Sequence, residues 1–223
     1  MCGRYSLTVD KKKLLDEFHL QDEHLKNFAP RYNIAPSQPV LAVASEQNHP
    51  KLELFQWGLV PSWSKDPSIG YKMINARAET LLEKPTFKGL MRAQRCLVIA
   101  DGFYEWKQEG KRKTPYYIRL KSHRPFGFAG LWSHWAGSDG SEINSCTIIT
   151  TEPNLLMKPI HNRMPVIIPA EKRNVWLDSS RYDGAYAKLL LVPYLSDEME
   201  TFPVSKLVND PKNDVAGCIA PFN

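Results

Sequence analysis

The sequence holds 223 residues, 43% of them hydrophobic and 24% charged, enough apolar side chain to build a core beneath a hydrated surface. Six Trp, nine Tyr and nine Phe exclude a disordered chain, and no stretch approaches the ~20 apolar residues of a membrane-spanning helix. The net charge of +5 permits a polyanionic partner without demanding one. The chain opens Met-Cys-Gly-Arg-Tyr-Ser, with Arg4 and polar residues where a signal peptide carries its apolar segment, so a cytoplasmic protein is expected. Cys2, Cys96, Cys146 and Cys218 lie far apart with no Cys-x-x-Cys pair, and the histidines show no metal-ligand spacing, so no metal is expected. Cys96 and Cys146 sit in strand-like runs and read as inert core thiols.

In chain order, residues 10–18 read as a helix capped near Thr8 or Asp10, with Leu14, Leu15 and Phe18 on one face. Residues 31–38 read as a loop, and 40–44 and 52–57 as a strand pair across 47–50. A helical pattern over 83–94 precedes an apolar strand at 96–100. Residues 103–107 and 115–120 form a hairpin turning at Glu109-Gly110, and 126–132 and 143–150 a second one joined by Ser138-Asp139-Gly140. A short strand at 166–168 and a short helix at 170–177 follow. Many strands with few helices predict an α+β fold: a single domain over 1–223, with a mainly antiparallel, curled or barrel-like β core and peripheral helices.

The chemistry concentrates in four places. Removal of Met1 leaves Cys2 with an α-amine and a thiol on adjacent carbons, a 1,2-aminothiol. Its amine condenses with an aldehyde to an imine, and the thiol then closes a five-membered thiazolidine. The same pair also suits attack on an amide carbonyl, and the plain alternative is an ordinary Cys near a frayed terminus. In Ile74-Asn75-Ala76-Arg77-Ala78-Glu79-Thr80 an amide, a guanidinium and a carboxylate alternate, which on an extended segment turns all three to one side. In Asp101-Gly102-Phe103-Tyr104-Glu105-Trp106 the aromatics around Glu105 raise its pKa toward proton-transfer use, unless it is a solvated strand glutamate. Pro159-Ile160-His161-Asn162-Arg163-Met164-Pro165 sets His161 in a Pro-bounded loop, where a lone histidine is more often structural.

Together with Arg31-Tyr32-Asn33-Ile34-Ala35-Pro36 and Trp57-Gly58-Leu59-Val60-Pro61-Ser62-Trp63, these blocks make the sequence resemble the SRAP family, the abasic-site processing proteins once named SOS-response-associated peptidases. The resemblance runs from residue 1 to about residue 170 and implies a function in the DNA damage response. Its terms are covalent capture of abasic sites in single-stranded DNA by the N-terminal cysteine, through Schiff base and thiazolidine, in lyase-like chemistry. It implies that Asn75 positions the Cys2 end and the sugar, that Glu105 shuttles protons, and that His161 holds the sugar oxygen and assists ring opening. No metal and no organic cofactor are implied, and a monomer is expected. Arg4 and Arg77 are the first choices for phosphate clamps and Trp63 for an apolar wedge against the bases. The basic segment 107–113 either extends the groove or is a solvated hairpin tip, and Lys11-Lys12-Lys13 reads as a solubilising charge run. Other readings are an N-terminal-nucleophile hydrolase or autopeptidase that removes Met1, and a noncovalent binder of single-stranded or modified DNA.

Overall fold

The computed structural model describes residues 2–20, 28–46 and 49–222. Strand β1 (Tyr5–Leu7) leads into helix α1 (Lys11–Phe18), followed by β2 (Arg31–Ile34), the long hairpin β3 (Pro39–Glu46) and β4 (His49–Trp57), and the short strand β5 (Asn75–Arg77). After α2 (Pro85–Ala93) come β6 (Arg95–Ala100), the hairpin of β7 (Gly102–Glu109) and β8 (Arg112–Leu120), and that of β9 (Phe126–Ala136) and β10 (Glu142–Thr151). Short strands β11 (Met164–Pro165) and β12 (Ile167–Ile168), helices α3 (Arg173–Leu177) and α4 (Gly184–Lys188), and β13 (Met199–Pro203) complete the order.

The strands form a closed barrel and an open sheet. Around the barrel, β10, β4, β3, β6 and β9 are neighbours in turn, and β9 pairs back onto β10. Every pairing in the ring is antiparallel except β4 with β10. The second sheet runs β13-β8-β7-β1-β2. The fold is the expected α+β architecture, with closure removing the barrel's edges. Strand β6 is buried at every position, as a strand covered on both faces must be. A Cβ on Gly130 would meet Cys96 Sγ at 2.9 Å and the Thr147 carbonyl at 3.0 Å, so the close approach of β9 to β6 and β10 needs glycine there. One buried cluster runs from Tyr5 and Phe103 in the open sheet to Ile99, Phe128 and Ile148 in the barrel.

The helices follow the sequence. Asp10 caps α1 by accepting the Lys13 N–H at 2.8 Å, Leu14 and Phe18 are buried, and His19 ends the helix in the left-handed region at φ 53°. Leu15 is only half-buried. Helix α2 starts at Pro85, two residues later than the pattern suggests, because proline suits the first turn. At its end Arg95 is 2% exposed and donates to the carbonyls of Met91, Trp176 and Tyr182, tying α2 to α3 and the loop beyond it.

Three expectations change. Residues 31–34 are strand, not loop, since β1 supplies a partner that local sequence does not reveal. The strand expected at 166–168 shortens to β12 at 167–168 and is preceded by the separate strand β11, because Val166 between them bonds Ile149 and Ala129 on different strands. The segment 170–177 is a 3-10 turn, Ala170–Lys172, followed by the five-residue α3. The two hairpins and the β3–β4 pair are where the sequence places them, although residues 47–48 of the expected turn lie outside the described residues.

Candidate active site at the buried N-terminal cysteine

Strand register brings Cys2 to Glu105. Tyr5 pairs with Phe103 and Ser6 with Gly102, and the Tyr104 N–H donates to the Arg4 carbonyl at 3.0 Å. Continuing that antiparallel ladder sets Gly3 opposite Glu105, so the residues leading to Cys2 run along β7. Asp101, between β6 and β7, fixes this end of the chain. Its carboxylate accepts from Ser6 Oγ (2.6 Å), Thr8 Oγ1 (2.7 Å) and the N–H groups of Thr8 and Val9.

Cys2 is fully buried rather than frayed. Burial, together with the charge of Glu105, pushes its thiol far above the ordinary range, so it stays protonated at neutral pH. Glu105 is 3% exposed, not a solvated strand glutamate, and burial pushes its carboxyl up to about 7. A group of that pKa both gives and takes protons near neutrality.

Asn75 arrives on β5, which lies parallel to β10 with Asn75 beside Ile148. Its Nδ2 donates to the Cys2 carbonyl at 2.8 Å, while its buried Oδ1 has no hydrogen-bond partner among the described residues. His161 follows the turn after β10, in which the N–H groups of Ile160 and His161 both donate to the Met157 carbonyl. Its Nε2 stands 3.9 Å from Glu105 Oε2. The Arg163 N–H donates to His161 Nδ1 at 3.0 Å, and burial lowers the ring's pKa, favouring neutral imidazole. Cys2, Asn75, Glu105 and His161, scattered over 160 positions of sequence, thus meet in one place.

The expected DNA contacts divide. Arg77 is exposed at the end of β5, on the same strand as Asn75. Arg4 does not stand free. Its guanidinium donates to Asn33 Oδ1 (3.0 Å) and the carbonyls of Val208 (2.7 Å) and Asn209 (3.4 Å), holding the C-terminal segment against β1 and β2. Trp63 is 66% exposed on the loop between β4 and β5. That loop is pinned at its base: Gly58 has φ +133°, and a Cβ there would lie 2.6 Å from the Gly70 carbonyl. Trp135 Nε1 also donates to the Ser64 carbonyl at 2.7 Å. Tyr71, 70% exposed on the same loop, is a second aromatic that the sequence reading missed; its exposure appears only in the structure. Segment 107–113 forms the tip of the β7–β8 hairpin, with Lys107 paired to Glu109 at 2.7 Å.

The alternation of Asn75, Arg77 and Glu79 breaks after Arg77, where a 3-10 turn, Ala78–Thr80, begins. Glu79 meets Arg163 instead, in a two-pronged pair at 2.6 and 3.0 Å that holds the Glu79 carboxyl below its usual range.

A profile of the SOS response associated peptidase (SRAP) family matches residues 1–211. The chain belongs to the SRAP family. The abasic site processing protein YoqW of Bacillus subtilis (strain 168) is 46% identical over 217 residues, 96% of each chain. The abasic site processing protein HMCES of Gallus gallus is 33% identical across 100% of this chain and 78% of its own length. A crystal structure of a Bacteroides thetaiotaomicron protein superposes with a TM-score of 0.90 at 27% identity, covering 100% of both chains. Within this SRAP protein, Cys96 and Cys146 are fully buried with raised pKa values, as inert core thiols are, and as internal residues they have no α-amine beside the thiol.

Proposed function

We propose that the protein captures abasic sites in single-stranded DNA covalently through Cys2, once Met1 has been removed, and so shields the lesion. Abasic-site processing is the activity its relatives are named for, and the observation that carries the finer reading is the burial of Cys2 against Glu105 and Asn75. The protonated thiol orders the steps. The Cys2 α-amine attacks C1′ of the ring-opened sugar, and the carbinolamine loses water to give the imine. The thiol then adds across the C=N bond: sulfur bonds C1′, and the thiol proton ends on nitrogen. Aldehyde and aminothiol therefore yield thiazolidine and one water, with no redox change, metal or organic cofactor.

Each neighbour has a part in this sequence. Glu105, near half-ionised at neutral pH, takes a proton during amine attack, returns it to the departing hydroxyl and relays that of the thiol. Neutral His161 faces Glu105 and binds the sugar oxygen during ring opening. Asn75 Nδ2 anchors the Cys2 carbonyl and leaves Oδ1 for a sugar hydroxyl. Arg77 contacts phosphate, and Trp63 with Tyr71 stacks on unpaired bases without regard to sequence. A protonated buried thiol is poorly suited to open attack on a peptide, which weighs against a general hydrolase.

Denaturing electrophoresis without borohydride tests the reading. The wild-type protein is expected to shift an oligonucleotide bearing an aldehydic abasic site but not one bearing a tetrahydrofuran analogue. Cys2→Ser keeps the amine but forms no stable ring, so its product survives only after reduction. A durable product from Cys2→Ser would refute the assignment.

A further inference from the structure

Glu79 is the one member of the Asn75–Arg77–Glu79 constellation without a part in the proposed capture, and its contacts lead back to His161. Glu79 Oε1 and Oε2 receive Arg163 Nη1 (2.6 Å) and Nη2 (3.0 Å), and Nη2 also donates to the Thr150 carbonyl at 2.5 Å. The guanidinium is therefore set in the wall of β10, its side chain 15% exposed while that of Glu79 is 50% exposed. Lys188 Nζ holds the Glu79 carbonyl at 3.2 Å. Arg163 has little freedom, since planar two-pronged pairing fixes orientation as well as distance.

The backbone of Arg163 offers His161 Nδ1 two contacts that exclude each other in a neutral ring. The Arg163 N–H lies 3.0 Å from Nδ1 and the Arg163 carbonyl oxygen 3.2 Å from the same nitrogen. If Nδ1 accepts from the N–H, the ring proton sits on Nε2 and is turned toward Glu105. If Nδ1 donates to the carbonyl, Nε2 presents a lone pair to Glu105 instead. Which contact is made depends on how the Arg163 backbone is set against the ring, and the Arg163 side chain is held by Glu79 and Thr150. The charged groups facing the ring are Glu105 from β7 and Arg163 from its own loop.

We infer that Glu79 is a positioning residue: by clamping Arg163 it holds His161 in the tautomer that carries its proton on Nε2, aimed at Glu105. The significance of that tautomer for capture rests on the proposed function; the clamp itself does not. The matching experiment uses the whole protein, wild type, Glu79→Ala and Glu79→Gln, and reads the His161 ring by long-range ¹H–¹⁵N NMR at neutral pH. It is paired with single-turnover adduct formation and binding to undamaged single-stranded DNA. Wild type is expected to show the Nε2–H tautomer. Glu79→Ala is expected to raise the Nδ1–H population and slow adduct formation about tenfold, as loss of a positioning contact does, while DNA binding holds or tightens. Glu79→Gln, which keeps an acceptor for one guanidinium N–H, is expected to recover most of both. An Nδ1–H ring in the wild type, or a ring unchanged in Glu79→Ala, would overturn the inference. Absence of any wild-type adduct would instead refute capture, and the ring spectra would still decide the role of Glu79.

Discussion

Replacing Glu105 by Gln separates what this carboxyl costs the fold from what it gives the chemistry. Its pKa is raised from 4.5 to about 7 by burial. Between those values the folded protein holds a proton that the unfolded chain releases, so stability falls as pH rises through that window. Below about pH 4.5 the carboxyl is neutral in both states and there is no penalty. Above pH 7 the penalty is complete, roughly 3 kcal/mol at about 1.4 kcal/mol per pKa unit. An amide has nearly the same shape and no charge at any pH. Glu105→Gln is therefore expected to melt with the wild type near pH 4.5 and above it at pH 8, by about 6–12 °C for a chain of this size. The same variant is expected to form the DNA adduct about 100-fold more slowly, the low end of general acid–base effects, with single-strand affinity little changed. Calorimetric melts at the two pH values and single-turnover kinetics measure both. A melting difference independent of pH would refute the raised pKa, and equal losses in binding and in rate would refute the proton-transfer role.

Other outcomes follow from the same geometry. Arg77→Ala is expected to weaken binding to any single strand and to lower the slope of log affinity against log salt by about 0.7, the loss of one phosphate contact; an unchanged slope in a salt titration removes Arg77 from the DNA. Trp63→Ala and Tyr71→Ala are each expected to cost about 1–3 kcal/mol of single-strand affinity without changing the adduct rate at saturating DNA, as fluorescence anisotropy and quench kinetics would show. Arg95→Met strands the buried carbonyls of Met91 and Trp176 and the half-buried one of Tyr182, and is expected to destabilise the fold by about 3 kcal/mol or more in urea, with no effect on adduct formation by the folded fraction.

The parts of the fold legible in the sequence are those whose signals are local. The Asp10 cap with Leu14 and Phe18 specifies α1, and Gly110 and the Ser138-Asp139-Gly140 turn specify two hairpins. Strand β2 was hidden because its pairing with β1 and the bonds from Asn33 to the carbonyls of residues 208, 210 and 213 arise only in three dimensions. The barrel was legible as a class but not as a topology, since the parallel contact of β4 with β10 leaves no local mark.

The site divides in the same way. The Cys2 aminothiol and the aromatic setting of Glu105 were readable from residue chemistry, and the structure bears out the raised pKa of Glu105. The fate of the arginines was not. Arg4 beside the cysteine serves the C-terminal segment, and Arg163 pairs with Glu79, because carbonyls and carboxylates from distant segments converge on them. Position in a motif says that a guanidinium is needed, not which partner needs it.

The central claim is tested most directly by the intact mass of the purified protein before and after incubation with a single-stranded oligonucleotide carrying one abasic site. A chain lacking one methionine is expected to gain the mass of the oligonucleotide less one water, and to keep it through denaturation without borohydride. Protein that has lost Met1 and gains no such mass would contradict covalent capture through Cys2.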